Sequence, residues 1–297
     1  DERDHAQTVA AAAGANFNSV EFSEPNFWEL LPEIASVMDD PAADYAILPT
    51  YKLGKTCHDA GLKVILSGEG GDELFAGYGR YRRQLRPWFL GGRNMRSKGI
   101  FHGLGLLRNT GNQWKDHLNE VWDKESNPQR TKLQVAQAVD CADWLAHDLL
   151  IKLDRCLMAH GVEGRTPFLD PIVANVAMRL PDGLKVKGRI GKYLLRLWLD
   201  QKLPEAAAFS KKKGFTVPVA EWMGRRGEIL GKLVASRESI QEICHRTEVE
   251  KLFSSLEGSA IKRNGQAAWV LLFYALWHRR HIEGLVPEGD ILEVLSA

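Results

Sequence analysis

From Lys63 to Glu73 the chain reads Lys-Val-Ile-Leu-Ser-Gly-Glu-Gly-Gly-Asp-Glu, a short apolar run followed at once by glycines and acids. Val64, Ile65 and Leu66 include β-branched residues and are bounded by Gly61 and Gly68, the pattern of a buried parallel strand. Ser67 to Glu73 then forms a turn ahead of Leu74-Phe75-Ala76-Gly77-Tyr78, which reads as helix. Ligands of parallel α/β sheets bind where strands end, so this turn is well placed to hold one.

Upstream, helix and strand signals alternate. His5 to Ala13 is Ala-rich and stops at Gly14, and Asn18 to Phe22 suits a short strand. Asn26 is a candidate cap for a helix whose apolar residues include Phe27, Leu30, Leu31, Ile34 and Val37, ending at Asp39-Asp40-Pro41. A further helix runs towards Gly61, with Pro49 as its candidate kink. Downstream of Pro87 the texture changes. Gly91 to Gly111 is rich in Gly and Arg and reads as a long mobile connection or lid. Helical patterns then dominate, at Leu133–Leu150, Ile172–Leu180, Lys192–Gln201 and Gln266–Arg280. Trp269, Phe273 and Trp277, four apart, read as a core stripe. The expected fold is therefore α/β, with an α/β half over residues 1–90 and a larger, mainly helical half over 91–297.

The acids of the turn narrow its chemistry. Exposed N–H groups before a helix hold phosphate oxygens, and three glycines let a ligand approach the backbone. Glu69, Asp72 and Glu73 would repel phosphate unless a divalent cation lies between, or unless one of them is a general base. Two commoner nucleotide patterns fail. Glu73 stands where the third glycine of G-x-G-x-x-G belongs, and at Gly191-Lys192 the Walker pattern lacks its first glycine (Val186) and its Ser/Thr (Tyr193). A plain strand-to-helix turn is the alternative reading.

With 44% hydrophobic and 26% charged residues and a net charge of +1, the chain resembles an ordinary globular enzyme. No apolar run reaches the length of a membrane helix, so no membrane partner is expected. Cys57, Cys141, Cys156 and Cys244 are too widely spaced for a Cys-x-x-Cys site and read as reduced thiols of a cytoplasmic protein. His278 and His281 share a helix face, but Arg279 and Arg280 between them point to a wet helix end rather than a metal site. Seven basic residues and no acids lie from Tyr78 to Lys98, with Tyr78, Tyr81 and Trp88 interleaved. The near-neutral total charge and the adjacent acidic turn argue against nucleic acid there.

Ser67-Gly-Glu-Gly-Gly-Asp-Glu-Leu-Phe-Ala-Gly-Tyr-Gly-Arg-Tyr81 resembles the loop signature of the glutamine-hydrolysing asparagine synthetases. Lys152-Leu-Asp-Arg-Cys-Leu-Met-Ala-His-Gly-Val-Glu-Gly-Arg-Thr-Pro-Phe-Leu-Asp170, Gly191-Lys-Tyr-Leu-Leu-Arg196, and Lys213-Gly-Phe215 with Pro218 resemble further segments of that family in the same order. The first two matches are specific and the last two weak, and together they cover nearly the whole chain.

The resemblance implies the synthetase half of such an enzyme, built on a parallel sheet of the ATP-pyrophosphatase (adenine nucleotide alpha-hydrolase-like) type. The implied reaction joins ATP and aspartate into β-aspartyl-adenylate with Mg²⁺ bound, after which ammonia gives asparagine and AMP. Ammonia would come from glutamine, hydrolysed in an N-terminal glutaminase domain. The implied partners also admit a homodimer. Carried over by motif, Ser67, Gly68, Gly70 and Gly71 belong to the AMP-binding loop, and Asp72 to magnesium. Glu69 is the acid near the reacting carbonyl, and Lys192 the cation facing the α-phosphate. Asp154, Arg155, Glu163 and Arg165 would hold aspartate's α-amino and α-carboxylate groups, and Lys213 would face pyrophosphate. Bland readings stand beside these. Lys192 could be solvated, Glu69 could simply pair with Arg155 or Arg165, the four charged residues could be a buried ion-pair network, and Lys211–Lys213 could be open surface.

The family's cysteine nucleophile and its Ser-Gly-Gly-x-Asp-Ser loop are not found here, and Asp39-Asp40-Pro41 replaces the usual Asp-Glu-Pro. The expectation is a chain with little activity alone, whose sheet exposes an apolar face and edge. A relative adenylating another carboxylate, forming a β-lactam or peptide amide, and a degenerate non-catalytic module are the competing functions.

Overall fold

A computed structural model describes residues 3–92, 95, 98–111, 113–210, 217–256 and 262–297. The N-terminal helix α1 (Arg3–Ala12) buries none of its residues and ends before Gly14, whose φ is +66°. Residues 18–22 form no strand. The helix α2 (Glu24–Val37) is capped by Ser23, not Asn26; Asn26 takes the third helical position and accepts the Ser23 N–H, closing a capping box. It buries Phe27, Trp28, Leu31 and Ile34 and packs beside α3 (Ile47–Asp59).

The strand β1 (Val64–Leu66) pairs in parallel with β2 (Glu163–Arg165), Val64 opposite Glu163 and Leu66 opposite Arg165. Parallel pairing matches expectation; deep burial does not. Val64 is 40% and Leu66 73% exposed. The cause is the period of two. Ile65 turns inward, against Cys57, Leu153, Leu157 and Val162, while among the described residues the opposite face of this two-stranded sheet is left open.

After β1 come a single turn, α4 (Gly71–Leu74), and α5 (Gly79–Gln84), so residues 75–78 are not helical. The stretch 91–111 is not simply a long connection. Leu106 is buried in the main core, Leu107 bridges Cys244, and the His245 N–H donates to the Leu106 carbonyl. Then follow α6 (Asp116–Glu125) and α7 (Lys132–Asp140), which runs through a π-helical stretch, Cys141–Leu149, into α8 (Leu150–Met158).

Beyond β2 lie α9 (Pro171–Arg179), α10 (Asp182–Lys185) and a tight hairpin of β3 (Val186–Lys187) and β4 (Ile190–Gly191). The hairpin leads directly into α11 (Tyr193–Lys202). The C-terminal helices are α12 (Val219–Arg225), α13 (Gly227–Ser236), α14 (Glu238–Ile243), α15 (Arg246–Ser254), α16 (Lys262–His281) and α17 (Ile291–Ser296). They share one core with α2 and α3, centred on Trp269 and Phe273, both fully buried; Trp277 is partly buried against it. The end of α16 is drier than expected. Arg279 is buried and donates to Glu283 and to the Val294 carbonyl, while His281 faces the Ala35 carbonyl. Among the described residues no helix is long and apolar enough to cross a membrane.

Candidate active site

The turn 67–77 is held by its backbone. The Ser67 N–H donates to the Arg165 carbonyl, extending the β1–β2 ladder by one residue. Gly70 needs its missing side chain, since its φ is +84° and a Cβ there would overlap Leu169. A Cβ on Gly71 would crowd the Phe168 ring at 3.1 Å. Gly68 differs: it is exposed and a Cβ would meet nothing within 4 Å, so it borders open space.

Asp72 and Lys192 meet at 3.1 Å, with side chains 20% and 26% exposed. Two neighbours fix this approach. Gly77 packs against both, and a Cβ there would intrude on the Asp72 carboxylate and come within 2.6 Å of Lys192 Cε. Lys192 itself is left-handed, φ 55°, as is Ala76, φ 56°, and the Lys192 N–H donates to the Phe75 carbonyl at 2.9 Å. Such backbone costs about 1–3 kcal/mol per residue and persists where surrounding structure imposes it. The pair lines a cavity of about 850 Å³ together with Phe168, Leu195, Arg196 and Trp198.

Glu69 lies outside that wall, 3.8 Å from Lys152, which in turn binds Asp44 at 2.8 Å. Burial raises the Glu69 carboxyl above the usual range; Lys152 and Lys192 pull it down, while Asp44 and Asp72 push it up. Burial also pulls Lys152 down, but Asp44 and Glu69 outweigh it and keep its pKa above the ordinary value. Glu73 is no ligand: it is 1% exposed and accepts the Tyr78 hydroxyl proton at 2.7 Å.

The turn and Lys192, 120 residues downstream, are thus brought together. The remaining expected residues are not gathered at the Asp72–Lys192 pair. Arg155 binds Asp39 at 2.5 Å and Asp154 at 3.3 Å, and Arg165 binds Glu163 at 3.0 Å, all with exposed side chains. Neither arginine is the partner of Glu69, and these are three exposed ion pairs rather than a buried network. Lys213 lies outside the described residues. Lys152 and Asp44 carry no sequence signal of this pairing, since a buried lysine cannot be told from a solvated one by spacing.

Asp72 suits a magnesium ion only as a single carboxylate completed by substrate phosphates, a usual arrangement for that ion. Among the described residues no group of three or more His, Cys, Asp or Glu side chains forms a self-sufficient metal site.

A strand-end turn thus carries a carboxylate–lysine pair and, beside it in sequence, a second, half-buried acid, Glu69. Residues 1–279 match the profile described as asparagine synthase, and the chain belongs to that family. It is 32% identical to a Mycobacterium bovis protein assigned provisionally as a glutamine-hydrolysing asparagine synthetase, over 97% of this chain and 50% of the relative. It is 29% identical to asparagine synthetase (glutamine-hydrolysing) 1 of Bacillus subtilis, over 95% of this chain and 50% of that protein. The match to asparagine synthetase B of Escherichia coli is 24% identical and covers 78% and 35%. The chain spans about half the length of the first two.

Proposed function

We propose that these residues form the synthetase part of an enzyme that amidates aspartate to asparagine, consuming ATP and passing through β-aspartyl-adenylate. A carboxylate is a poor electrophile because its oxygen leaves badly. Attack of the aspartate β-carboxylate on the α-phosphorus forms an O–P bond, breaks the bond to the β-phosphate oxygen and releases pyrophosphate. Ammonia then attacks the acyl carbon, a proton leaves the nitrogen, and the C–O bond to AMP breaks.

Lys192 offsets the charge growing on the α-phosphate, and its strained, backbone-tied geometry favours a fixed charge over a wandering one. Glu69 takes the proton from the attacking ammonia. A raised carboxyl pKa is what a general base near neutral pH requires. Ser67 and Gly68 face AMP, with Gly70 and Gly71 shaping the turn around it. Asp72 would hold Mg²⁺ together with ATP phosphates, and the ion would supply charge neutralisation there. Asp154 with Arg155, and Glu163 with Arg165, are assigned to the α-amino and α-carboxylate ends of aspartate, since each pair offers one acid and one base on accessible surface.

The glutaminase step is assigned outside these residues. A cysteine nucleophile needs a depressed pKa, whereas burial raises all four thiols, Cys141 and Cys156 to about 12 and Cys244 to about 11. Free cysteines support a cytoplasmic setting.

The observation that carries the proposal is the Asp72–Lys192 pair at 3.1 Å lining a cavity of about 850 Å³, with Gly68, open to space, in the same turn as Asp72. Pyrophosphate release by the full-length protein, measured across a panel of carboxylic acids with ATP and Mg²⁺, tests it. Aspartate should be preferred; a strong preference for another acid would overturn the substrate, and no release with any acid would overturn the reaction.

A further inference from the structure

Lys185 is fully buried, a costly place for an ammonium group. Among the described residues no carboxylate lies within ion-pair distance of it. Its Nζ donates instead to Gln137 Oε1 at 2.8 Å and to the Met178 carbonyl at 3.2 Å. Gln137, also fully buried, uses its amide NH₂ to donate to the Glu73 carbonyl at 2.6 Å and the Leu74 carbonyl at 2.8 Å. The next carbonyl, that of Phe75, accepts the Lys192 N–H. Three consecutive carbonyls at the end of α4 are therefore gripped, two by Gln137 and one by the backbone of Lys192.

The connection runs in both directions. Lys185 ends α10 and is followed directly by the β3–β4 hairpin that presents Lys192. It also orients the Gln137 amide, because a donor at Oε1 leaves the NH₂ facing the turn. One brace thus ties the element carrying Asp72 to the element leading to Lys192. Neutral acceptors offset the cost of burying an ammonium only in part, so its presence calls for another role.

We propose that Gln137 and Lys185 are positioning residues for adenylation: through the carbonyls of Glu73 and Leu74 they set the Asp72–Lys192 geometry without touching substrate. The proposal rests on the synthetase reading above. Two variants test it in the full-length protein. Lys185→Met removes the orienting donor and the buried charge. Gln137→Glu keeps an acceptor for Lys185 but cannot donate to the two carbonyls. For each, kcat for pyrophosphate release should fall about tenfold or more while KM for aspartate changes less than about twofold, in protein that stays folded at the assay temperature; a moderate fall in Tm is expected, because each variant leaves buried acceptors without their donor. Backbone amides of residues 72–77 should exchange hydrogen faster than in the wild type.

A kcat loss accounted for by the fraction unfolded at the assay temperature, or wild-type kcat with wild-type exchange in both variants, would overturn the positioning role. Should Lys185→Met fail to fold, Gln137→Glu decides alone. If the wild type releases no pyrophosphate, the synthetase reading fails while exchange at 72–77 still reports on the brace.

Discussion

Gly77→Ala puts a methyl group where the Asp72 carboxylate and Lys192 Cε now pack against the backbone. Gly77 has ordinary negative-side backbone, so the strain comes from crowding and not from φ. Relieving it means separating the pair. Moving the charges from 3.1 Å to roughly 5 Å removes about 2 kcal/mol of gross attraction at an effective dielectric near 20. Overpacking of this kind typically costs ~1–3 kcal/mol. A loss of about 2 kcal/mol lowers Tm by roughly 4–8 °C in a domain approaching this size, and a similar loss in the transition state lowers kcat/KM about 30-fold. Gly68→Ala is the matched control, since its methyl meets nothing within 4 Å. Tm should stay within error while affinity for ATP falls, because that open space is the proposed AMP seat. Differential scanning calorimetry with pyrophosphate-release kinetics on both variants is the assay. Wild-type kcat/KM in Gly77→Ala, or equal Tm losses in the two variants, would refute the reasoning.

Two further outcomes follow from the charged groups. Lys152→Met removes a cation 3.8 Å from Glu69 that pulls its pKa down; the Glu69 pKa should climb further. The acidic limb of the pH profile for ammonia-dependent synthesis should move up accordingly, and an unmoved limb would remove Lys152 from that role. Burial lowers Lys185 from 10.5 to about 8. Between those pH values the unfolded chain binds the extra proton, so this group makes stability rise with pH, while below about 8 both states are charged and its contribution is flat. Tm measured from pH 7 to 10 should gain on Lys185→Met as pH rises; a constant difference would contradict the assignment.

The local signals that proved legible in sequence were those carried by short-range rules. The strand at Val64–Leu66, the turn after it and the long C-terminal helix follow from period, glycine placement and β-branching. What escaped was set by distant partners. The exposure of Leu66 depends on what covers a sheet face, and the alternation within three residues is too short to report it. Asn26 looked like a cap because Asn and Ser are both good caps, and only the closed capping box with Ser23 separates them. At the site, Glu69 and Asp72 stood out as acids in a glycine-rich turn, whereas Lys192 was marked only by the family resemblance. Lys152, Gln137 and Lys185 were not, because a polar residue on a helix shows its burial only once its neighbours are placed.

Aspartate-dependent pyrophosphate release from ATP by the full-length protein, compared with its Lys192→Ala variant, tests the central claim most directly. Release by the wild type and a loss of about 10²–10³-fold in the variant, with its Tm preserved, is the expected result. Release at the wild-type rate without the Lys192 ammonium would contradict the account.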